Sequence, residues 1–271
     1  MAPLISLVTT CKGRLEHLKF TLPYMLALPD CEVIVVDYDC PEQAGDWVRA
    51  THPEARVVQV GDRPIFNAAK ARNLGVAAAS APWLLMVDAD VIVAPELVEV
   101  VRGLMQPGSY LVPEVRPYPL MGVLVVARAD FDAVGGYDET FEGYGSEDMD
   151  LTVRLGMTGR AVRTFPAGLL RSVLHDDALR GRFHEIADLL LNRTINELYR
   201  TAKMDLMRQG VTLDPDQARG LYAGARAAML APGGAPKLDV QLPPKTIANR
   251  ALEVTFTYRL AAIEPREEGQ A

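Results

Sequence analysis

The sequence predicts an α/β protein in which a mostly parallel sheet is covered by helices on both faces. Two observations carry this. Short apolar, β-branched runs alternate with segments of helical period through the N-terminal third of the chain. The runs are apolar throughout rather than at every second position, the pattern of strands buried on both faces. Strand and helix in alternation then build a mainly parallel sheet.

Taken in order, Ile5–Thr9 reads as a strand, Glu16–Leu28 as a helix interrupted by Pro23, and Glu32–Val36 as a strand ending in Asp37-Tyr38-Asp39. Arg56–Val60 is a further strand. Asn67–Ser80 is Ala-rich and helical, with Pro82 beyond its end. Trp83–Val87 is a buried strand that runs straight into Asp88-Ala89-Asp90. Pro95–Met105 is a helix with proline at its start and Pro107 past its end. Tyr110–Val115 and Gly122–Ala127 read as strands around the loop Arg116-Pro117-Tyr118-Pro119. Gly135–Glu139 is a turn, and Leu151–Met157 is apolar at helical spacing, with Gly159 as its stop. Helical patterns resume over His184–Gln209, where Ile186, Leu189, Leu190, Ile195 and Leu198 share a face, and over Pro215–Leu230. Residues 231–236 form a loop, and 264–271 a polar tail.

The chain has 271 residues, 49% of them hydrophobic and 23% charged, which allows one large domain or one domain with an appendage. Its net charge of −7 argues against a nucleic-acid partner held by phosphate neutralisation. Three cysteines, Cys11, Cys31 and Cys40, lack zinc-type spacing and form no even disulfide set, which fits a reducing, cytoplasmic compartment. No run approaches the roughly 18–20 apolar residues of a membrane span. Met1–Val8 lacks the basic start of a signal peptide. Peripheral contact with the inner membrane face and a homodimer stay open.

The chemistry concentrates in two acidic segments. Asp88 and Asp90 stand where a strand leaves the sheet, the edge at which open α/β sheets bind ligands. Two carboxylates there repel unless a cation shares them, and hard oxygens suit Mg²⁺ or Mn²⁺; the alternative is an Asp-rich turn. An EF-hand is excluded because Val93 stands where its glycine is required. No Gly-rich phosphate loop ending in Gly-Lys-Ser/Thr is present. Glu147 and Asp148 follow Gly143-Tyr144-Gly145-Ser146 and open an apolar helix. They read either as a general base held ionised at a helix N-terminus or as first-turn residues behind Ser146 as N-cap. His175 is a candidate ligand or a structural histidine, and His184 reads as a surface residue at a helix start. Lys12, Arg14, Lys70 and Arg72 are the cations nearest predicted strand ends, where a diphosphate needs positive charge. Asp37 or Asp39 could accept hydrogen bonds from a base or ribose.

In this order the segments resemble the metal-dependent GT-A glycosyltransferases, of the beta-1,4-galactosyltransferase type and of the bacterial family-2-like type. The pieces that carry the resemblance are Arg14-Leu15-Glu16-His17-Leu18-Lys19, Phe66-Asn67-Ala68-Ala69-Lys70-Ala71-Arg72-Asn73-Leu74-Gly75, Asp88-x-Asp90, Gly143-Tyr144-Gly145-Ser146-Glu147-Asp148, His175 and Arg182-Phe183, spread over Ile5 to Asn196. The resemblance implies a mixed central sheet with helices on both faces and a helical C-terminal extension. It implies a nucleotide-sugar-binding half over 1–110, an acceptor-binding and catalytic half over 111–185, and the extension over 186–271. It implies Mn²⁺ or Mg²⁺ on Asp90 and His175 with Asp88 beside them. Thr9, Arg14, Asp37, Phe66, Arg72 and Asp88 would contact the donor nucleotide. Tyr144, Gly145, Glu147 and Asp148 would bind the acceptor, with Asp148 as the catalytic base and Glu147 beside it. The first strand ends in Thr9-Thr10-Cys11 where the family sometimes reads Pro-Phe-Arg. Tyr118-Pro119-Leu120-Met121-Gly122 lacks the aromatic pair of galactosyltransferases, so galactose specificity does not transfer.

The expectation is an inverting glycosyltransferase moving a hexose or N-acetylhexosamine from a UDP-sugar to a hydroxyl of a saccharide or glycoconjugate, as in bacterial polysaccharide biosynthesis. A sugar-phosphate nucleotidyltransferase and a non-catalytic carbohydrate-binding protein are the alternatives.

Overall fold

The computed structural model describes residues 2–173, 177–232, 235–247 and 250–261, in two compact units, Met1–Leu189 and Leu190–Ala271. The predicted tail over 264–271 lies outside the described residues. In the first unit the strands are β1 (Ile5–Cys11), β2 (Cys31–Tyr38), β3 (Arg56–Val60), β4 (Trp83–Met86), β5 (Val91–Val93), β6 (Ser109–Pro113), β7 (Leu124–Ala127), β8 (Ala161–Phe165) and β9 (Leu170–Ser172). The helices are α1 (Leu15–Leu26), α2 (Ala44–Thr51), α3 (Ala68–Ala78), α4 (Leu97–Leu104), α5 (Arg128–Ala133), α6 (Glu147–Met157) and α7 (Asp177–Gly181).

Seven strands form one sheet in the order β3-β2-β1-β4-β7-β6-β8. β1 pairs in parallel with β2 and β4, β2 with β3, and β6 with β8. β7 runs antiparallel between β4 and β6, so the sheet is mixed. The link from β6 to β7, residues 114–123, is shorter than the dozen or so residues of a parallel crossover, so the chain returns antiparallel. β5 and β9 pair antiparallel as a separate two-stranded ribbon.

Strand period sorts the core into two layers. Leu7, Val33, Val35, Leu85, Leu111 and Val125 face one side and pack with Leu18 and Leu22 of α1 and Val98 and Val101 of α4. Val8, Ile34, Val36, Leu84, Met86, Leu124 and Val126 face the other and pack with Ala71 and Val76 of α3, Phe131 of α5, and Leu151 and Leu155 of α6. Both faces being apolar explains why the strands read as continuous apolar runs.

α3 lies closest to the sheet because Gly75 lets it. A Cβ at Gly75 would come within 2.3 Å of Val8 Cγ1 and 2.9 Å of Val36 Cγ2. Arg72, one turn earlier on the same face, is thereby carried to the ends of the central strands.

Some elements differ from expectation for identifiable reasons. α1 runs through Pro23, whose carbonyl accepts from Ala27 N–H at 3.1 Å. β5, β9 and α5 are too short to show periodicity, and β8 is an edge strand with mostly exposed residues, so neither alternation nor an apolar run marks it. α2 begins behind Gln43 at φ 54°, a left-handed start that composition does not signal. α6 starts at Glu147 rather than Leu151. Ser146 precedes it at φ 75° and makes no side-chain cap bond, so the N-cap alternative fails in its chemistry though not in its position.

In the second unit α8 (Leu189–Arg208) begins after His184–Asp188, which are not helical as expected. α9 (Pro215–Leu230) opens on a capping box. Gln217 N–H donates to Asp214 Oδ1 at 2.9 Å and Asp214 N–H to Gln217 Oε1 at 3.0 Å, with Pro215 in the first turn. To these expected helices the unit adds antiparallel ribbons, β10 (Lys237–Gln241) with β13 (Thr255–Arg259) and β11 (Lys245–Ile247) with β12 (Arg250–Leu252). Among the described residues no helix is long and apolar enough to cross a membrane.

Gly75→Ala is expected to destabilise the fold by about 1–3 kcal/mol, the cost of overpacking a filled core. A urea denaturation midpoint lowered at unchanged slope is the measurement, and an unchanged midpoint would mean that α3 is not held at contact distance.

Candidate active site at the end of the central strands

The site is assembled around one buried cation. Arg72, with a side chain 7% exposed, donates from Nη1 to Glu147 Oε1 at 2.8 Å and from Nη2 to Asp88 Oδ1 at 2.8 Å. Its Nη1 also lies 3.2 Å from Asp148 Oδ1. The guanidinium carbon sits 5.2 Å from the centre of the Tyr137 ring, a cation–π contact from a fully buried aromatic. One planar fork thus joins the acidic segment after β4 to the acidic start of α6.

Each carboxylate is delivered by its own local structure. Val87 N–H still donates to Val8 O at 3.1 Å, so β4 keeps its register with β1 up to the first aspartate. Val91 N–H then donates to Asp88 O at 3.0 Å, closing a tight turn into β5. Two bonds fix that turn: Thr21 Oγ1 of α1 donates to Ala89 O at 2.7 Å, and Val173 N–H donates to Asp90 O at 2.7 Å. Asp90 Oδ2 faces Arg14 Nη1 at 3.5 Å. On the other side, Gly143, Gly145 and Ser146 all take positive φ, at 69°, 90° and 75°. That tight loop aims the first turn of α6 at Arg72. Asn67 and Asn73 of the α3 segment tie this side down. Asn67 Nδ2 donates to Glu139 O at 2.9 Å and Phe141 O at 3.0 Å, and Asn73 exchanges two 2.9 Å bonds with the backbone of Tyr137.

Gly122 closes the floor. A Cβ there would lie 2.8 Å from Asp88 Oδ2, 2.9 Å from Arg72 Nη2 and 3.3 Å from Asp148 Oδ2. The Arg116 guanidinium donates to Met121 O and holds the loop before it.

The electrostatics follow from three carboxylates around one guanidinium. Burial pushes Asp148 up to about 7, with Glu147 and Asp88 adding and Arg72 and Arg116 opposing. Burial also raises Asp88, and Asp90 adds to it while Arg72 opposes. Burial works against the charge of Arg72, but Asp148 and Asp88 outweigh it and hold the guanidinium well above its ordinary value.

Asp88 and Asp90 leave one strand end within electrostatic reach of each other, a hard-oxygen pair that fits a divalent cation such as Mg²⁺ or Mn²⁺. Among the described residues no group of three His, Cys, Asp or Glu gathers to hold a metal alone. Further ligands would come from substrate phosphates or from His175, which lies outside the described residues.

Several expected contacts are corrected by burial. Asp37, 1% exposed, accepts from Cys40 N–H at 2.7 Å and Gly45 N–H at 2.6 Å, so both oxygens serve the turn into α2 rather than a nucleotide. Thr9 is fully buried within β1 and offers no surface to a ligand. Lys12 is consumed by three carbonyls, donating to Tyr38 O at 3.2 Å, Asp39 O at 2.7 Å and Arg63 O at 2.7 Å. Arg72 holds carboxylates instead of facing a diphosphate. Arg14 does reach the site, and Phe66 stacks edge-on with Tyr38 at 5.6 Å. Tyr144 lies with its ring 6.3 Å from that of His184, so His184 is half-buried beside the acidic loop, not a surface residue at a helix start. Sequence reasoning passed over Asn67, Asn73, Tyr137 and Gly122. The two asparagines lie inside the Phe66–Gly75 segment already singled out, and asparagine at a helix start is itself a capping signal.

With fold and geometry in place, comparison with known proteins is specific. The sequence profile of Glycosyl transferase family 2 matches residues 6–137, and that of the N-terminal domain of galactosyltransferase matches residues 115–176. Two validoxylamine A glucosyltransferases, from Streptomyces hygroscopicus subsp. jinggangensis (strain 5008) and subsp. limoneus, are each 26% identical over 70% of this chain. The chain spans 59% and 55% of their lengths. A mannosyltransferase from Pyrobaculum calidifontis, solved with GDP-Man and Mn²⁺, superposes with a TM-score of 0.60 at 18% identity, covering 87% of this chain and 77% of that one. S. aureus TarS 1-349 with UDP-GlcNAc gives 0.59 at 12% identity, covering 82% and 72%. The chain shares its fold with these solved glycosyltransferases, and the two glycosyltransferase profiles together cover residues 6–176. The two profiles overlap on residues 115–137, between the Asp88–Asp90 turn and the Glu147–Asp148 loop.

Arg72→Met strands three carboxylates and is expected to cost about 3–5 kcal/mol, as breaking a buried ion pair does. Arg72→Lys, which keeps charge but loses the fork, should recover only part of that in thermal unfolding. Asp148 carries a proton more tightly folded than unfolded, so its ionisation opposes folding as pH rises through about 7. Asp148→Asn is therefore expected to melt above the wild type at pH 8 and to lose that advantage below pH 4. A constant offset across that range would overturn the assignment.

Proposed function

We propose that the chain is an inverting glycosyltransferase that moves a sugar from a UDP-sugar to a hydroxyl of a saccharide or glycoconjugate. The single observation that carries this is the convergence of Asp88 and Asp148 on Arg72: the first strand-end aspartate and the helix-start acid pair meet at one guanidinium. The structural relatives bind UDP-GlcNAc and GDP-Man, and the sequence relatives are glucosyltransferases, which supports a nucleotide sugar as donor.

In this reading the donor diphosphate lies against Asp88, Asp90 and Arg14, the acceptor lies against Gly145 and Glu147, and Tyr144 stands beside both the acceptor and the donor sugar. Asp148 takes the acceptor proton. Its affinity for a proton near neutrality matches that task, because a base works best with a pKa near the working pH. The hydroxyl oxygen attacks the anomeric carbon from the face opposite the diphosphate, so configuration inverts. A divalent cation on Asp88 and Asp90 would neutralise charge on the leaving diphosphate. Arg14, already aimed at Asp90, adds positive charge on the same side. Arg72 does not move protons: it keeps Glu147, Asp148 and Asp88 in one arrangement. Gly122, with no Cβ, lets the backbone pack directly beneath Asp88, Arg72 and Asp148. A reading without catalysis leaves the buried Asp148 unexplained, since sugar binding needs no proton acceptor.

Asp148→Asn is expected to lower turnover by about 10²–10⁴ while leaving UDP affinity in Mn²⁺ within a few-fold. Asp90→Asn should instead weaken UDP binding and remove its dependence on Mn²⁺. A nucleotide-sugar panel scored by UDP release checks both, and pyrophosphate release in place of UDP would favour a nucleotidyltransferase. Near-normal turnover in Asp148→Asn would end the base assignment.

A further inference from the structure

His184 has no part in the chemistry above, yet the chain goes to some length to place it. Phe183, just before it, is anchored twice. Its carbonyl accepts from Phe66 N–H at 2.9 Å, and its ring fills the space over Gly13, where a Cβ would lie 2.2 Å from Phe183 Cε2. His184 N–H in turn donates to Gly181 O at 3.1 Å. This segment is therefore pinned across the end of β1 and the Phe66 turn. The pinning puts the imidazole beside two aromatic rings, 6.4 Å from Phe66 at a tilt of 34° and 6.3 Å from Tyr144 at a tilt of 40°. Tyr38 in turn meets Phe66 edge-on at 5.6 Å, so a chain of ring contacts forms a ladder from the end of β2 to the Gly143–Gly145 loop.

Within that ladder Nδ1 of His184 is closed to solvent and has no hydrogen-bond partner. Leaving a buried polar atom unmet is costly, and such atoms mark places where a ligand completes the bonding. Burial lowers the proton affinity of the ring and Arg14 adds to this, with Glu147 and a backbone hydrogen bond at Phe66 opposing, so the neutral form is favoured. A neutral imidazole presents one donor and one acceptor. A phosphate oxygen only accepts, and is met by cations elsewhere in the site. A hydroxyl donates and accepts, matching either tautomer, and the flanking aromatic faces suit the C–H face of a sugar ring.

We propose that His184 contacts substrate directly, hydrogen-bonding through Nδ1 to a hydroxyl of the donor sugar held in the stack of Phe66, His184 and Tyr144. This rests on the nucleotide-sugar reading above and adds a residue that the sugar, but not the nucleotide, touches. The prediction is a split between the two. His184→Phe keeps the stack and loses the nitrogen, so it should weaken binding of the nucleotide sugar roughly ten-fold, the worth of one hydrogen bond, with UDP affinity unchanged. His184→Asn places an amide where Nδ1 stood and should recover most of that loss. His184→Gln, with its amide at the distance of Nε2, should not.

The test is calorimetric titration of wild type and the three variants with UDP, UDP-glucose, UDP-N-acetylglucosamine and GDP-mannose in Mn²⁺, with thermal unfolding to confirm that each is folded. Weaker sugar-nucleotide binding in His184→Phe, at constant UDP affinity and with rescue by Asn, establishes the contact. Unchanged affinities, or equal loss for UDP and nucleotide sugar, overturn it while leaving the nucleotide-sugar reading standing. Should His184→Phe not fold, the Asn and Gln variants read the same atom, and equal affinities in those two overturn the proposal. A wild type that binds none of the nucleotide sugars overturns the underlying reading and this proposal together.

Discussion

Three carboxylates gathered around one buried guanidinium are the constraint on which the rest of this structure depends. Glu147, Asp148 and Asp88 would repel each other at this range, and the Arg72 guanidinium bonds or pairs with all three. A lysine could not do the same, because only a planar fork bonds two carboxylates on separate nitrogens while its face rests on Tyr137. The surrounding architecture can be traced back to this need. Gly75 lets α3 descend to the sheet, Asn67 and Asn73 bind α3 to the chain that leads to the acidic loop, and the left-handed Gly143–Ser146 turn swings α6 into reach.

The two halves of the site differ in how they are held. The Asp88–Asp90 turn is fixed by backbone acceptors, since Ala89 O and Asp90 O are both occupied by donors from elsewhere in the fold. Its side chains are left to answer to charge. The Glu147–Asp148 side is fixed through side chains, chiefly by Arg72 and the asparagines. A ligand that brings its own charge therefore perturbs the second half more readily than the first.

Much of the fold was legible because burial on both faces makes strands conspicuous. β3 and α9 stand at the residues their patterns indicate, and β1, β2, β4, β6 and β7 differ from expectation only at their ends. What was not legible had no periodic signal: ribbons of three residues, an exposed edge strand, and a helix entered through a left-handed residue. For the site, the acidic pairs could be found from residue type and spacing. The fate of each neighbouring polar group could not. Asp37 and Lys12 look like ligand contacts in sequence, but in the fold backbone groups claim them first, because turns at the strand ends leave amides and carbonyls that need partners. Arg72 looked like a phosphate contact because nothing local in the sequence reveals that three acids from two distant segments will surround it.

The absence of a side chain at Gly75 has a consequence for how this protein can change over time. The same helix face that seals the hydrophobic layer also sets the depth of Arg72, so core packing and the arrangement of the carboxylates draw on a single degree of freedom. Core substitutions that lift α3 by even part of an ångström would loosen the packing and the grip on the carboxylates together. Drift in this part of the interior is therefore constrained twice over. Sequence change should accumulate sooner around α4, which carries no such passenger.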